Sequence, residues 1–329
     1  MRAVEVTGPR SWSVRDLPDP SPGLGEVLVR VGVCGLCGTD MHILEGELTS
    51  ARYPLTPGHE LSGEVVAVAS GVEGTQVGDV VAVDPNLPCG RCHYCHVGRE
   101  NLCDNYRAIG VTQAGGFAEL VAVPEVSVYP LPKDLPTPLA GLVEPLSCAV
   151  HGVNRLPRTP GAHYLVYGAG TMGLLMARLV RGTGAASVSV VDTNADRLAF
   201  AADYGVDAVS ESADELDRPE GFEVVVDATG VLAAIDDGLT RVRTGGTFLQ
   251  FGVAAEDARA TFSPFDVYNR EIDIIGSMAV HHSFAPAIDL LATGLDLSSL
   301  VSDVVPIDSF DDAVALFRSG SGRKIQVAP

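Results

Sequence analysis

The sequence predicts an α/β protein of two domains, a β-rich domain followed by a doubly wound parallel sheet. Three observations predict this fold class. The 329 residues exceed the usual length of a single domain. Short apolar runs fill the first half, and strands then alternate with helical stretches. The composition, 46% hydrophobic and 19% charged, provides packed cores and excludes a disordered chain.

The first part of the chain has the pattern of β-strands. Glu26 to Val31 alternates in polarity, and Glu64 to Val68 and Asp79 to Val83 are short apolar runs. Gly, Pro or Asp bounds each run, which is typical of strands. Because long helical periodicity is scarce up to about residue 150, we expect a barrel-like β domain there.

The pattern changes near Pro157 to Gly161, where strands begin to alternate with helices. The expected order is strand Tyr164 to Tyr167, helix Met172 to Arg181, strand Val188 to Val191, helix Ala195 to Tyr204, then strands Glu223 to Val226, Thr247 to Phe251 and Ile272 to Ile275. This alternation is typical of a doubly wound parallel sheet.

The alternation stops beyond about Phe284. The expected elements of the tail are helices Ala285 to Ala292 and Ser309 to Arg318 and strands Val304 to Val305 and Lys324 to Val327. We expect this tail to return to the first domain.

Charge excludes two classes of partner. The formal net charge is −20, from 22 basic and 42 acidic residues, which argues against binding to nucleic acid or to an anionic membrane. The mean hydropathy is +0.22, yet no apolar run reaches the length of a spanning helix. The first eight residues, MRAVEVTG, hold no apolar signal-peptide core, so we expect a cytoplasmic protein.

A GxGxxG motif lies between an expected strand and an expected helix. The three glycines of the motif are Gly168, Gly170 and Gly173, and Met172 lies between the last two. Glycines permit a tight turn and the close approach of a pyrophosphate, and the first amides of the helix bind phosphates. The alternative is an ordinary strand–helix turn. The strand and helix around the motif favour a Rossmann dinucleotide site.

An acidic residue follows the second strand of this part. Asp192 comes 22 residues after Gly170, where a carboxylate accepts hydrogen bonds from the adenosine ribose and repels a 2′-phosphate. NAD is therefore favoured over NADP. Arg197 either stacks on the adenine or tolerates a phosphate, which leaves NADP open. Gly252, directly after the strand Thr247 to Phe251, is assigned to the same site.

One segment contains four of the seven cysteines. Four thiolates can surround a tetrahedral zinc and leave no open position, which predicts a structural metal. An iron–sulfur cluster, disulfides and free thiols are the alternatives, and the spacing favours zinc. His93 and His96 are expected at the surface because the cysteines complete the shell. The four ligands are Cys89, Cys92, Cys95 and Cys103.

Three further segments offer metal ligands. Cys37 to His42 carries a thiol, a hydroxyl and an imidazole, His59 and Glu60 are adjacent, and Glu144 follows later. One Cys, one His and one Glu can hold a zinc whose fourth position is open to substrate. An isolated His or Cys is more often a core residue, so spacing alone leaves both interpretations open.

Together these motifs resemble those of the zinc-containing medium-chain dehydrogenases along essentially the whole chain, most of all the polyol (sorbitol-like) and threonine dehydrogenase branches. The motifs are CGTDMH from Cys37, PGHE from Pro57, the cysteine segment, GLVEPLSCAVHG from Gly141 and GAGTMG from Gly168. The resemblance implies a GroES-like catalytic domain over residues 1–152 and 285–329, a Rossmann NAD-binding domain over 153–284, and a homodimer or homotetramer.

The resemblance also implies the role of each residue in the catalytic site. Thr39 and His42 resemble a proton relay, and Glu144 binds the metal directly or through a water. Which of Glu60 and Glu144 is the ligand stays open. The residues around the catalytic zinc are Cys37, His59 and Glu60.

Some positions depart from the pattern of the family or stay ambiguous. Sorbitol-type enzymes often carry an arginine after the last strand of the cofactor domain, and Gly276 to His282 contains none. His281 and His282 either replace that donor or line a subunit contact. Cys34 and Cys148 are expected to be packing residues, and Phe117 lines the substrate pocket or belongs to the core.

The sequence therefore predicts hydride transfer from a secondary alcohol, a polyol or sugar-like alcohol, to NAD, giving a ketone. One catalytic and one structural zinc are expected. The alternatives are an NADP-linked zinc alcohol dehydrogenase or carbonyl reductase, and a catalytically silent nucleotide-binding relative. The intact ligand set disfavours the silent relative and a zinc-free quinone reductase.

Overall fold

The computed structural model describes residues 1–158 and 160–329. In this part the chain forms two compact units, Met1–Ser147 with Val280–Pro329, and Cys148–Ala279. The sequence-based division had its boundaries after residues 152 and 284. Thr159, inside the predicted transition from Pro157 to Gly161, lies outside the described residues.

The strands are numbered along the chain. They are β1 (Arg2–Gly8), β2 (Ser11–Asp16), β3 (Glu26–Gly35), β4 (Glu60–Val68), β5 (Val80–Val83), β6 (Asn86–Leu87), β7 (Arg107–Ala108), β8 (Leu120–Pro124), β9 (Val128–Pro130), β10 (His163–Tyr167), β11 (Ser187–Val191), β12 (Ala208–Ser210), β13 (Phe222–Asp227), β14 (Val242–Gln250), β15 (Asp273–Gly276), β16 (Val301–Pro306) and β17 (Lys324–Ala328).

The helices are numbered in the same way. They are α1 (Gly38–Glu45), α2 (His93–His96), α3 (Thr137–Ala140), α4 (Val143–Arg155), α5 (Thr171–Gly182), α6 (Ala195–Asp203), α7 (Leu232–Arg241), α8 (Pro264–Asn269), α9 (Phe284–Ala292) and α10 (Phe310–Ser319). Short 3-10 turns lie at Glu100–Leu102, Glu125–Ser127, Ala213–Glu215, Ser298–Leu300 and Ile307–Ser309.

The first unit is built on a seven-stranded sheet. Its order is β16–β17–β3–β4–β5–β9, and β8 also pairs with β3. Alternate residues of β3, among them Val27, Val29 and Val31, point into the core, as its alternating polarity predicts. Because β17 pairs with β3, the tail returns to the first unit as expected. Among the described residues, no helix is long and apolar enough to cross a bilayer.

The second unit contains a six-stranded parallel sheet. Its order is β12–β11–β10–β13–β14–β15, and every neighbouring pair is parallel. The central strands are buried almost throughout, which explains why they are continuous apolar runs in the sequence. The predicted fold class is confirmed, and the alternating strands and helices occur near their expected positions.

Helix α4 corrects the expectation that helices are scarce up to about residue 150. It begins at Val143 and continues to Arg155, so its first half lies inside the predicted β-rich part. Pro145 and Gly152 conceal it, because both residues usually mark the end of a helix. A proline in the first turn is tolerated, since the amide hydrogens there have no partner within the helix.

Candidate active site

Three metal-ligating side chains converge in the first unit. Cys37, His59 and Glu60 offer ligand atoms that all lie within 4.8 Å of one another. Cys37 immediately precedes α1, shortly after the end of β3, and Glu60 begins β4. The antiparallel pairing of these strands sets Glu60 opposite Gly35, so two segments distant in sequence meet at one end of the sheet.

Two glycines clear the space for these ligands. A Cβ atom at Gly35 would overlap the carboxylate of Glu60. Gly58 precedes His59 in the left-handed region, at φ 100°, and a Cβ there would lie 2.8 Å from the Cys34 sulfur. Only glycine adopts this conformation in so little space, and it fixes the turn that delivers His59.

A fully buried carboxylate supports the imidazole. Asp40 accepts a hydrogen bond from the Cys37 amide at 2.9 Å through Oδ2, and its Oδ1 lies 3.6 Å from Nδ1 of His59. Within the described residues, neither Oδ1 of Asp40 nor Nδ1 of His59 has a hydrogen-bond partner. Outer carboxylates of this kind orient metal-binding imidazoles and increase their basicity. The sequence reasoning quoted Asp40 in CGTDMH and gave it no role.

The electrostatics of this cluster favour a cation. Burial disfavours the charged imidazole, but the Asp40 carboxylate and the Cys37 thiol together raise the pKa of His59 well above its ordinary value. A thiol, an imidazole and a carboxylate are also the donors that Zn²⁺ accepts in open catalytic sites. The residues present therefore fit a zinc ion.

Glu60 also forms a buried ion pair. Lys324, at the start of β17, lies 2.5 Å from Oε2 of Glu60 and donates to the Leu36 carbonyl at 3.1 Å. Burial lowers the pKa of Lys324, but Glu60, Cys37 and Glu144 raise it above its ordinary value overall. Lys324 therefore stays charged and holds one oxygen of Glu60.

Glu144 is a buried carboxylate that is close enough to Lys324 to affect the pKa of that lysine. It is the second residue of α4, only 8% of it is exposed, and its charge contributes to the high pKa of Lys324. Which of Glu60 and Glu144 binds the metal stays open. The ligand atom of Glu60 lies within 4.8 Å of those of Cys37 and His59.

Thr39 and His42 lie one turn apart on α1. The Thr39 hydroxyl is 3.9 Å from the Cys37 sulfur, which brings it beside the metal-ligating side chains. Nδ1 of His42 lies 2.7 Å from Oε2 of Glu47, and 41% of the His42 side chain is exposed. Residues three apart share one face of a helix, so this face leads from the site towards solvent.

The four cysteines of the predicted structural site form a second cluster in the first unit. Their ligand atoms lie within 4.8 Å of one another, and the sulfurs of Cys92 and Cys95 are 3.5 Å apart. The amides of Cys89 and Asn105 donate to the Cys103 sulfur at 3.2 and 3.3 Å. No cysteine in the described part of the chain forms a disulfide. His93 and His96 are exposed.

The protonation of these thiols indicates what the cluster requires. The backbone amide of Arg91 lowers the pKa of Cys89 to about 6, and the amides of Cys95 and Asp104 lower that of Cys92. Burial raises the pKa of Cys95 to about 12. Amides directed at sulfur stabilise thiolates, which are the form that binds zinc, and a cation relieves the repulsion among them.

The predicted dinucleotide loop lies in the second unit, between β10 and α5. Gly168 has φ 104°, and a Cβ at Gly173 would overlap the Gly168 carbonyl. Gly170 precedes the first residue of α5, and Met172 lies in the first turn of that helix. The loop therefore has the tight turn and the helix start that phosphate binding requires.

Asp192 joins two loops at the ends of parallel strands. It accepts hydrogen bonds from the amides of Ala169 at 2.7 Å and Asn194 at 2.9 Å. Arg197 lies in the first turn of α6, the helix that follows. The carboxylate is therefore fixed beside the glycine loop.

A second acidic residue, which the sequence reasoning missed, fixes the neighbouring loops. Asp227 is fully buried and accepts hydrogen bonds from the backbone amides of Thr229 and Gly230 and from the side chain of Gln250. Gly252 packs so closely on this loop that a Cβ atom would overlap the Gly230 amide.

Comparison with known proteins identifies the family. The model of the alcohol dehydrogenase GroES-like domain matches residues 23–133, and that of zinc-binding dehydrogenases matches residues 170–293. D-arabinitol dehydrogenase 1 of Uromyces fabae is 38% identical over 341 residues, which cover 100% of this chain and 97% of that protein. The chain belongs to the zinc-binding alcohol dehydrogenase family. The resemblance to zinc-containing medium-chain dehydrogenases and the GroES-like and Rossmann domains are confirmed.

Two further proteins are similar to this dehydrogenase. D-altritol 5-dehydrogenase of Agrobacterium fabrum (strain C58 / ATCC 33970) is 39% identical over 93% of each chain. The crystal structure of a zinc-binding dehydrogenase from Sinorhizobium meliloti 1021, bound to NADP, superposes with a TM-score of 0.95 at 33% identity and covers 100% of this chain and 99% of that one. The chain is therefore an oxidoreductase that acts on CH–OH groups with a nicotinamide cofactor.

Sequence reasoning about the dehydrogenase missed Asp40, Asp227 and Lys324. Each is almost completely buried, and a buried charge is rare unless it has a structural or functional partner. Lys324 had one signal, since it is one of only two lysines in the chain. Phe117 is fully buried against Phe310, which supports the core alternative for it.

Proposed function

We propose that this dehydrogenase oxidises a secondary hydroxyl of a polyol or sugar-like alcohol to a ketone, with NAD as hydride acceptor. The observation that carries the proposal is the buried cluster of Cys37, His59 and Glu60, with Asp40 and Lys324 behind it. The relatives named for D-arabinitol and D-altritol support the substrate class.

Cys37, His59 and Glu60 would hold a zinc ion, which would supply Lewis acidity to lower the pKa of the substrate hydroxyl. The remaining steps belong to the side chains around it. Asp40 orients the His59 ring, and Lys324 holds Glu60 in place.

The proton follows the face of α1 described above. The Thr39 hydroxyl, beside the Cys37 sulfur, accepts the proton of the substrate hydroxyl as it passes its own proton on towards the His42 ring, one turn later on α1. Glu47 contacts the exposed His42 ring, from which the proton reaches solvent. Glu144 adds negative charge close to Lys324 and Glu60 and is the alternative carboxylate for the metal.

We propose NAD rather than NADP as the cofactor. It is bound by the glycine loop of Gly168, Gly170 and Gly173, and the fixed carboxylate of Asp192 accepts the ribose hydroxyls and repels a 2′-phosphate. Arg197 and the NADP in the Sinorhizobium meliloti structure favour the alternative of an NADP-linked carbonyl reductase. Initial rates with NAD and NADP at equal concentration separate the two.

Two metal ions and a homo-oligomer complete the proposal. A second, structural zinc is held by Cys89, Cys92, Cys95 and Cys103, so metal analysis is expected to give two zinc ions per chain.

The homo-oligomer is supported by an open sheet edge. The edge strand β15 has no neighbour on one side within the described chain, and Ile274 on it is exposed. An open edge of this kind supports association of subunits, which light scattering on the purified protein measures.

A substrate screen tests the proposed function. NADH absorbance is followed with polyols, cyclitols, amino alcohols and simple alcohols at equal concentration. We expect the highest kcat/KM for a polyol or sugar-like alcohol. Higher kcat/KM for amino alcohols or simple alcohols contradicts the substrate class, and higher kcat/KM with NADP contradicts the cofactor.

A further inference from the structure

A third cluster of metal-ligating side chains lies in the first unit, outside both sites described above. Glu100, His281 and His282 offer ligand atoms within 4.8 Å of one another. Glu100 begins a 3-10 turn inside the cysteine segment, and the two histidines shortly precede α9. Segments about 180 residues apart in the sequence therefore meet here.

The contacts converge on one oxygen atom. Oε2 of Glu100 is 3.2 Å from Nε2 of His282 and 3.7 Å from Nε2 of His281. This oxygen is buried and has no hydrogen-bond partner in the part of the chain that the structure describes. Both imidazole Nε2 atoms therefore lie within reach of one carboxylate oxygen that has capacity to bind a further partner.

The backbone holds the histidines in this position. The Asn86 side chain donates to the Val280 carbonyl at 3.2 Å, and the amide of His281 contacts the Ser283 hydroxyl at 3.3 Å. The rings of the two histidines lie with their centroids 4.3 Å apart. His282 has φ 50°, an uncommon conformation for a residue other than glycine. The donors are thus arranged before any ligand binds.

We propose that Glu100, His281 and His282 bind a divalent transition-metal ion, such as Zn²⁺ or Ni²⁺, at a third site in this dehydrogenase. Two imidazoles and a carboxylate suit these ions. Ligands at about 2.1 Å from one ion lie about 3 to 3.5 Å apart, close to the separations observed here. Nε2 of His281 lies 2.7 Å from the Gly98 carbonyl and donates to it. This nitrogen becomes a metal ligand when the ring takes its other tautomer, with the proton on Nδ1, and the Gly98 carbonyl is then a candidate oxygen ligand.

The bound ion links the cysteine segment to the residues before α9. A ligand that binds only the folded state stabilises it in proportion to ligand concentration, so the ion raises the melting temperature of the protein. The site needs neither substrate nor nicotinamide, so it is independent of the proposed function.

Nickel binding to the zinc-loaded protein tests this proposal. The protein is first dialysed against metal-free buffer until its zinc content is constant, so that weakly bound zinc leaves the third site. It is then dialysed against increasing Ni²⁺, and zinc and nickel are counted by mass spectrometry. We expect one nickel ion per chain in addition to the zinc already bound, and a melting temperature that rises with nickel concentration.

Four variants show where the ion binds. His282→Gln, His281→Gln and Glu100→Gln are each expected to lose the additional nickel and the rise in melting temperature. The matched control is His96→Gln, which changes an exposed histidine of the cysteine segment and keeps both. A variant that retains its zinc is folded. One folded variant among the three ligand substitutions is enough to show whether the additional nickel is lost.

Three outcomes overturn the proposal. The wild type binds no additional nickel, nickel enters only by displacing an equal amount of zinc, or the folded variants retain the additional ion. In each case the cluster is an ordinary contact between an acidic residue and two histidines.

Discussion

The Nζ atom of Lys324 lies 2.5 Å from Oε2 of Glu60, and both side chains are almost completely buried. Removal of either charge would leave the other one buried and unpaired in a low-dielectric environment. The pair therefore connects the last strand of the chain to a proposed ligand of the catalytic zinc, and its loss has consequences for both stability and metal binding.

Replacement of Lys324 by methionine tests this connection. We expect Lys324→Met to lower the free energy of unfolding by about 3 to 5 kcal/mol, because the buried Oε2 atom of Glu60 loses the ammonium group that pairs with it. Denaturant unfolding of the zinc-loaded protein measures the loss. Lys133→Met, at the exposed second lysine of the chain, is the control and is expected to change little. Equal stability of the two variants contradicts the role of the pair.

A single methyl group at Gly35 is expected to disturb the same carboxylate. In Gly35→Ala the new Cβ overlaps Glu60, so the carboxylate must move away from Cys37 and His59. We expect loss of one zinc ion per chain and of turnover, with the cysteine segment keeping its zinc. Gly8→Ala, where a Cβ meets no atom within 4 Å, is the control. Normal zinc content and rates in Gly35→Ala would show that this space is not needed.

The charge of Asp192 is expected to decide between the cofactors. Asp192→Asn removes the repulsion of a 2′-phosphate and keeps one acceptor oxygen. The amides of Ala169 and Asn194 donate to different oxygens of Asp192, so only one of them keeps its hydrogen bond in the variant. We expect the ratio of kcat/KM with NAD to kcat/KM with NADP to fall at least about tenfold, about 1.4 kcal/mol. Asp196→Asn, at the exposed second residue of α6, is expected to leave the ratio unchanged. An unchanged ratio in Asp192→Asn rejects the cofactor assignment.

An ion pair in the second unit predicts a specific pH dependence. Arg181 hydrogen-bonds to Asp207 and the Val188 amide donates to it, which together lower the pKa of Asp207 from its ordinary value in the folded state. The stabilisation is therefore present above about pH 4 and is lost as the pH falls through the lowered pKa.

The measurement compares Asp207→Asn with the wild type as the pH falls. We expect a difference in unfolding free energy on the order of 1 kcal/mol at neutral pH, kept small by the partial exposure of the pair. The difference is expected to shrink below pH 4. Asp203→Asn, at an exposed carboxylate of α6, serves as the control. A difference that grows in acid contradicts the assigned direction.

Much of the fold could be predicted because it follows local patterns. Buried parallel strands are continuous apolar runs, and the glycine motif needs only the strand before it and the helix after it. Helix α4 escaped this reasoning because Pro145 and Gly152 interrupt its pattern without ending it. The metal-ligating residues Cys37, His59 and Glu60 were found from their residue types and from the family motifs.

The supporting charges could not be predicted in the same way. The partner of Lys324 is 264 residues away in the sequence, and only the pairing of β17 with β3 brings the two together. Asp40 is close to Cys37 in sequence, but its contact with His59 depends on the register of β3 and β4. Residue type and spacing contain no information about either contact, because both arise from tertiary pairing.

Metal content and turnover of Cys37→Ser test the central claim most directly. The account predicts one zinc ion per chain, retained by the cysteine segment, no turnover of any alcohol, and NAD binding close to that of the wild type. Two zinc ions per chain with full turnover would show that Cys37, His59 and Glu60 do not form the catalytic metal site.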